Sequence, residues 1–84
     1  MDLNEIRSAI DRIDSKILKL LNDRMEQALL AKKFKSSIED LEREKAIMEK
    51  LKNSATPFLD DEFKEDIYKL IFSYSKKLQE KDLK

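Results

Sequence analysis

Glu44 stands where a short amphipathic helix should carry an apolar side chain. In DLEREKAIMEKL (residues 40–51), Leu41, Met48 and Leu51 share one helical face, and Glu44 falls between them on that face. A carboxylate there is costly unless it is paired or hydrogen-bonded. It asks either for a buried salt bridge to Arg24 or Lys35, or for a ligand whose donor it accepts, with Asp40 one turn earlier on the same side. Arg24, Ala28, Ala31 and Lys35 make a second anomaly. At about 100° per residue, the step from Arg24 to Lys35 brings the two cations within about 20° of each other, roughly 16 Å apart along the axis. Two alanines lie between them. Cations flanking a floor of small side chains leave room for an anionic ligand. The plainer reading is that alanine favours helix and cations suit a helix C-terminus.

A third set lies near the C-terminus, where Tyr68, Phe72, Ser75 and Gln79 form a stripe that begins aromatic and ends polar. Ser and Gln there either donate hydrogen bonds inward or mark a seam that emerges into solvent. Arg7 precedes Arg24 on the same helical segment, rotated about 100° from it and some 25 Å away along the axis. Within one subunit it cannot reach the pocket of Arg24; in a dimer of crossed helices it can reach the partner's. A cationic, amide-lined pocket inside a helical bundle accounts for Arg7, Arg24, Lys35, Asp40, Arg43, Glu44, Ser75 and Gln79 at once.

The elements that must position these residues are helices. Gly is absent and Pro occurs once among 84 residues, while Leu, Lys, Glu and Ile abound. Ile6, Ile10, Ile13, Ile17, Leu20, Leu21, Met25, Ala28 and Leu29 predict a first helix of roughly 33 residues, about 50 Å long, opened by Asp2 and Glu5 in a capping-box spacing. Ser37 with Asp40 predicts a second helix from about Ile38 to Lys52. After the break NSATP (residues 53–57), Thr56 or Asp60 is expected to cap a third, with Pro57 near its first turn. Its seam is Phe63, Ile67, Leu70, Ile71, Tyr74 and Leu78. Asp60, Asp61 and Glu62 suit the positive end of that helix better than a metal site. The fold class is therefore all-α, one domain over residues 1–84. The first helix overshoots a compact domain of this size, whose radius of gyration is near 12 Å. Its apolar stripe calls for a homodimer of intertwined chains.

Composition excludes several chemistries. Lys+Arg and Asp+Glu balance at 18 each, so no global field favours nucleic acid or an anionic membrane. Without Cys there is no disulfide or thiol chemistry, and a reducing, cytoplasmic setting is expected. Without His, imidazole acid–base catalysis, Ser-His dyads and the usual zinc sites are gone. No apolar run suggests a signal peptide or a membrane span, and no Gly-rich phosphate loop is present.

The run IDRIDSKILKLLNDR ending at Arg24, Lys35 after it, D-x-x-R-E at Asp40, Arg43 and Glu44, and Ser75 with Gln79 near the C-terminus together resemble the all-helical (type II) chorismate mutases. The resemblance covers nearly the whole chain. It implies an intertwined homodimer that converts chorismate to prephenate, a precursor of phenylalanine and tyrosine, without metal or cofactor. It also implies roles. Arg24 and the partner chain's Arg7 would hold the two substrate carboxylates, and Lys35 and Gln79 would bond the ether oxygen of the breaking bond. Glu44 would accept from the ring hydroxyl, helped by the backbone near Asp40, with Arg43 and Ser75 completing the lining. The link Ser36–Glu39 is shorter than the family usually has and lacks its Gly or Pro, which bears on pocket geometry. Isochorismate pyruvate lyase shares this fold and much of the pocket. A catalytically silent metabolite-binding or regulatory module and a plain helical hairpin are the readings from other classes.

Overall fold

A computed structural model describes residues 1–34 and 37–81 of the chain. It contains three helices: α1 (Leu3–Lys32), α2 (Leu41–Lys52) and α3 (Asp61–Lys81). Among the described residues there is no strand. No helix is long and apolar enough to cross a membrane.

Each helix starts at an aspartate. Asp2 Oδ1 accepts from the Glu5 amide at 2.8 Å, Asp40 Oδ1 from the Arg43 amide at 3.0 Å, and Asp60 Oδ1 from the Phe63 amide at 2.8 Å. Each carboxylate satisfies one of the orphan amides of a first turn and faces the positive end of the helix dipole. This corrects two sequence expectations. α2 begins at Leu41 instead of Ile38, because Asp40 takes the capping place expected for Ser37. α3 is capped by Asp60, while Thr56 stays in the preceding turn. Its carbonyl accepts from the Leu59 amide at 3.0 Å, its hydroxyl is buried without a partner, and Pro57 lies outside the helix. α1 has 30 residues, somewhat short of the predicted span, and ends before the Ser36-Ser37 break.

α3 is the shared neighbour. It packs on α1 and on α2, and those two helices do not pack on each other among the described residues. α2 is fastened to α3 at its C-terminal end by Lys64, a buried lysine on α3. Its ammonium donates to the carbonyls of Leu51 at 3.0 Å and Ser54 at 3.4 Å. A cation is well placed there, where helix carbonyls lack intrahelical partners and the dipole is negative. Lys52 and Glu65 add an exposed pair at 3.9 Å.

The chain is elongated, measuring 52 × 28 × 16 Å with a radius of gyration of 15.8 Å. The only apolar side chains buried among the described residues are Ile71 and Phe72, each 8% exposed. In the N-terminal part of α1, Ile6, Ile10, Ile13, Ile17 and Leu20 are all exposed. The seam expected to fill the core of α3 behaves the same way: Phe63, Ile67, Leu70 and Tyr74 are exposed, and of that set only Ile71 is buried. The neighbouring stripe of Phe72, Ser75 and Gln79 is buried in its place. An apolar surface of this extent on a small chain marks an interaction face.

Candidate functional site

Because α1 and α2 both pack on α3 and not on each other, a cleft opens between them. A cavity of about 280 Å³ fills it, at the lower end of the size range of small-molecule sites. α1 supplies Arg24, Gln27, Ala28 and Ala31; the link and α2 supply Ile38, Asp40, Arg43, Glu44 and Ile47; α3 supplies Phe72, Ser75, Lys76 and Gln79. The alanines leave the space, as their small side chains on the α1 wall suggest. Six of the sequence-predicted site residues line this one cavity: Arg24, Asp40, Arg43, Glu44, Ser75 and Gln79, with Ala28 and Ala31 as the floor expected beside Arg24.

Arg24 is held on three sides. Its Nη1 donates to Ser75 Oγ at 3.4 Å, and its guanidinium carbon lies 5.8 Å from the centre of the Phe72 ring and 5.9 Å from that of Tyr68. The two rings meet edge to face at 5.9 Å. A planar cation against aromatic faces is both stabilised and fixed in direction. Ser75 Oγ in turn donates toward Met25 Sδ at 3.2 Å. Thus the aromatic start of the Tyr68 stripe supports a cation, and its polar end turns inward.

Gln79 is 2% exposed, the most buried of the polar residues. Its Nε2 donates to the Ala28 carbonyl at 2.8 Å. A primary amide has two N–H donors and an acceptor oxygen. One donor is spent on α1, which sets the orientation of the amide and leaves the second donor for the cavity.

Glu44 is three-quarters covered, and its carboxylate pairs with Lys76 at 3.0 Å. Sequence reasoning expected the partner to be Arg24 or Lys35. Arg24 is instead engaged by Ser75 and the rings, and Lys35 lies outside the described residues. Lys76 also reaches Glu39 at 3.3 Å. Its pKa is raised, first by the hydrogen bond to Glu44, with burial opposing and the bond to Glu39 adding to the rise. Lys76 went unnoticed in the sequence because it reads as half of an exposed Lys-Lys pair. The signal was its spacing, one turn after Phe72 and one turn before Gln79. Asp40 has its side chain committed to the α2 cap, so toward the cavity it offers mainly its backbone.

Arg7 does not line the cavity. It is exposed on the N-terminal part of α1, and its rotation and distance from Arg24 keep it from this cavity within one chain. Among the described residues, no cluster of His, Cys, Asp and Glu could hold a metal ion; of the Asp60–Glu62 run, Asp60 caps α3 and Asp61 and Glu62 lie in its first turn.

Fold and site thus define an all-α protein whose helices enclose a small cleft lined by fixed cations, a carboxylate and an amide. The chain belongs to the chorismate mutase type II family, whose family model matches residues 6–80. No curated protein and no solved structure matches it. Membership supports chorismate mutase activity, an isomerase activity, at the level of the family.

Proposed function

We propose that this protein is a chorismate mutase, which rearranges chorismate to prephenate on the route to phenylalanine and tyrosine, acting as a cytoplasmic homodimer. The observation that carries the reading is the convergence on one cleft of Arg24, Glu44, Ser75 and Gln79, from all three helices of a chain in this family.

The reaction is a unimolecular pericyclic rearrangement. It requires no nucleophile and no proton transfer, so a chain without His or Cys lacks nothing it needs. Two kinds of help lower its barrier. The first is confinement of the flexible enolpyruvyl side chain over the ring, so that the reacting carbons approach. Arg24, braced by Ser75, Phe72 and Tyr68, is suited to grip one carboxylate with its planar fork. Arg7 of a second chain would grip the other. The uncovered apolar stripes of α1 and α3 support a dimer that brings it there.

The second form of help is stabilisation of the charge that builds on the ether oxygen as its C–O bond breaks. Gln79 offers its remaining N–H from a fixed amide, and Lys35 is assigned the charged donor by its place in the family pattern. Glu44 accepts from the ring hydroxyl, the Asp40 backbone assists, and Arg43 completes the cationic rim.

Adding chorismate to the purified protein and following its ultraviolet absorbance, with the product identified by chromatography, tests the reaction. Prephenate that no longer forms with folded Arg24→Ala is the expected result. If chorismate is inert while isochorismate is consumed, the lyase reading replaces this one; if both are inert, the silent module does. Arg7→Ala and Arg24→Ala should each be inactive, and mixed chains should regain some activity if subunits exchange. Heterodimers that form and stay inactive would remove Arg7 from the site.

A further inference from the structure

Lys76 has no part in the roles assigned above, yet among the described residues it is the cation paired with Glu44. Its ammonium lies between two carboxylates, Glu44 Oε2 at 3.0 Å and Glu39 Oε1 at 3.3 Å. The two contacts differ in setting. The side chains of Lys76 and Glu44 are 28% and 24% exposed, whereas that of Glu39 is 61% exposed at the rim. The inner bond is therefore partly shielded from water and the outer one is solvated.

We propose that Lys76 is a positioning residue: it clamps Glu44 through one carboxylate oxygen, so that the other faces the ligand's hydroxyl, and it ties the Glu39 link to α3 at the mouth of the cleft. The inference rests on the site reading given above and assigns Lys76 no contact with the reacting atoms.

Three arguments support it. A glutamate side chain has three rotatable bonds, and fixing it costs entropy. The pair with Lys76, which projects from a different helix, holds the carboxylate in one place before ligand arrives. Second, a carboxylate has about four lone-pair sites, so occupation at Oε2 leaves capacity for a hydroxyl donor. Third, the mouth carries Glu39, Asp40 and Glu44 within a few residues. Arg43 stands among them, and a ligand bearing two carboxylates would still meet more carboxylates than cations on this stretch. One ammonium shared between Glu39 and Glu44 offsets part of that charge without filling the cleft.

The test compares Lys76→Met in two backgrounds, with chorismate as substrate and circular dichroism as the check on folding. In the unsubstituted protein, kcat should fall on the order of 10-fold to 100-fold, the scale of a misplaced catalytic group, and KM should rise several-fold. In the Glu44→Gln background the same change should cost less than about threefold in kcat, since a neutral amide has little use for the ammonium. Lys76→Arg, which keeps the charge, should recover most of kcat. Equal losses in both backgrounds would overturn the proposal, as would an unchanged kcat in Lys76→Met. If Lys76→Met fails to fold, Lys76→Gln takes its place with the same expectations.

Failure of the site reading shows separately. In that event Glu44→Ala keeps full turnover, or the unsubstituted protein has none. A crystal structure of the Lys76→Met protein then decides the positioning claim without activity. A Glu44 carboxylate displaced from the cleft supports it, and one left in place overturns it.

Discussion

α3 carries two neighbouring stripes, and their fates are the reverse of what polarity alone suggests. Ile67, Leu70 and Tyr74 are apolar or aromatic and exposed, Leu70 by 72%. Ser75 and Gln79 are polar and buried. The difference teaches that the polar stripe is covered at the cleft, whereas most of the hydrophobic face of the same helix is left uncovered by its own chain. The polar stripe can be buried because each member is satisfied: Ser75 by Arg24 and Met25, and Gln79 by the Ala28 carbonyl. The apolar stripe continues into the groove that Leu21, Met25 and Leu29 of α1 form with Leu70, Ile71, Tyr74 and Leu78. Burying such a surface is what would stabilise a second chain against the first.

The strongest way to break this comparison is to charge the apolar stripe. Leu70→Glu with Tyr74→Glu should abolish the dimer proposed above, because carboxylates buried at an interface lack partners and cost several kcal/mol. Sedimentation would then show a monomer with reduced helical ellipticity. An unsubstituted protein that sediments as a monomer would remove the dimer, and a double variant that remains dimeric would mean that this face is free. On the polar side, Arg24→Ala should lower kcat/KM by about 10³-fold or more while the helical signal persists. Gln79→Ala should cost on the order of 10²-fold, the usual loss for one donor to a developing oxyanion. A Gln79→Ala protein with normal kcat but a lower melting temperature would assign the amide to packing against Ala28 alone.

Smaller effects sharpen the picture of how the cleft is braced. Lys64→Met removes the donor to Leu51 and Ser54 and should destabilise the fold by about 1–3 kcal/mol in urea titration, at fixed protein concentration. Asp60→Ala should cost about 1 kcal/mol through the lost α3 cap. The least is expected of alkaline pH. Lys76 has a folded pKa above its ordinary 10.5, so its bridge to Glu44 stabilises fully below that value. The contribution is lost as pH rises through the raised folded value. A Lys76→Met protein should therefore lose less melting temperature than the unsubstituted one above pH 10.5.

Much of this was legible in residue order. The three helices follow from spacing alone, since a 3.6-residue period with no Gly and one Pro admits little else. The Asp2 cap was read directly, and Asp60 was one of two candidates for α3. The Ser37 cap failed because Ser37 and Asp40 both fit a start signal. Choosing between them depends on where the chain, leaving α1, can turn onto α3. Glu44 was visible as an exception because a lone carboxylate on an apolar face violates the helical pattern. The partner that it has among the described residues was not among the cations named for it, Arg24 and Lys35. Lys76 is 32 residues away in sequence and meets Glu44 only because α2 and α3 pack side by side.

The sequence by itself determined what is local: helix content, the number of helices and the Asp2 start of the first, the absence of thiol and imidazole chemistry, and which residues share a face. These depend on backbone hydrogen bonding and side-chain periodicity within a few residues. Only the tertiary structure decided which of the two α3 stripes is covered, which cation meets Glu44, and where one N–H of Gln79 is spent. Those outcomes depend on the approach of helices distant in the chain, and on the cleft that remains because α1 and α2 pack on α3 and not on each other.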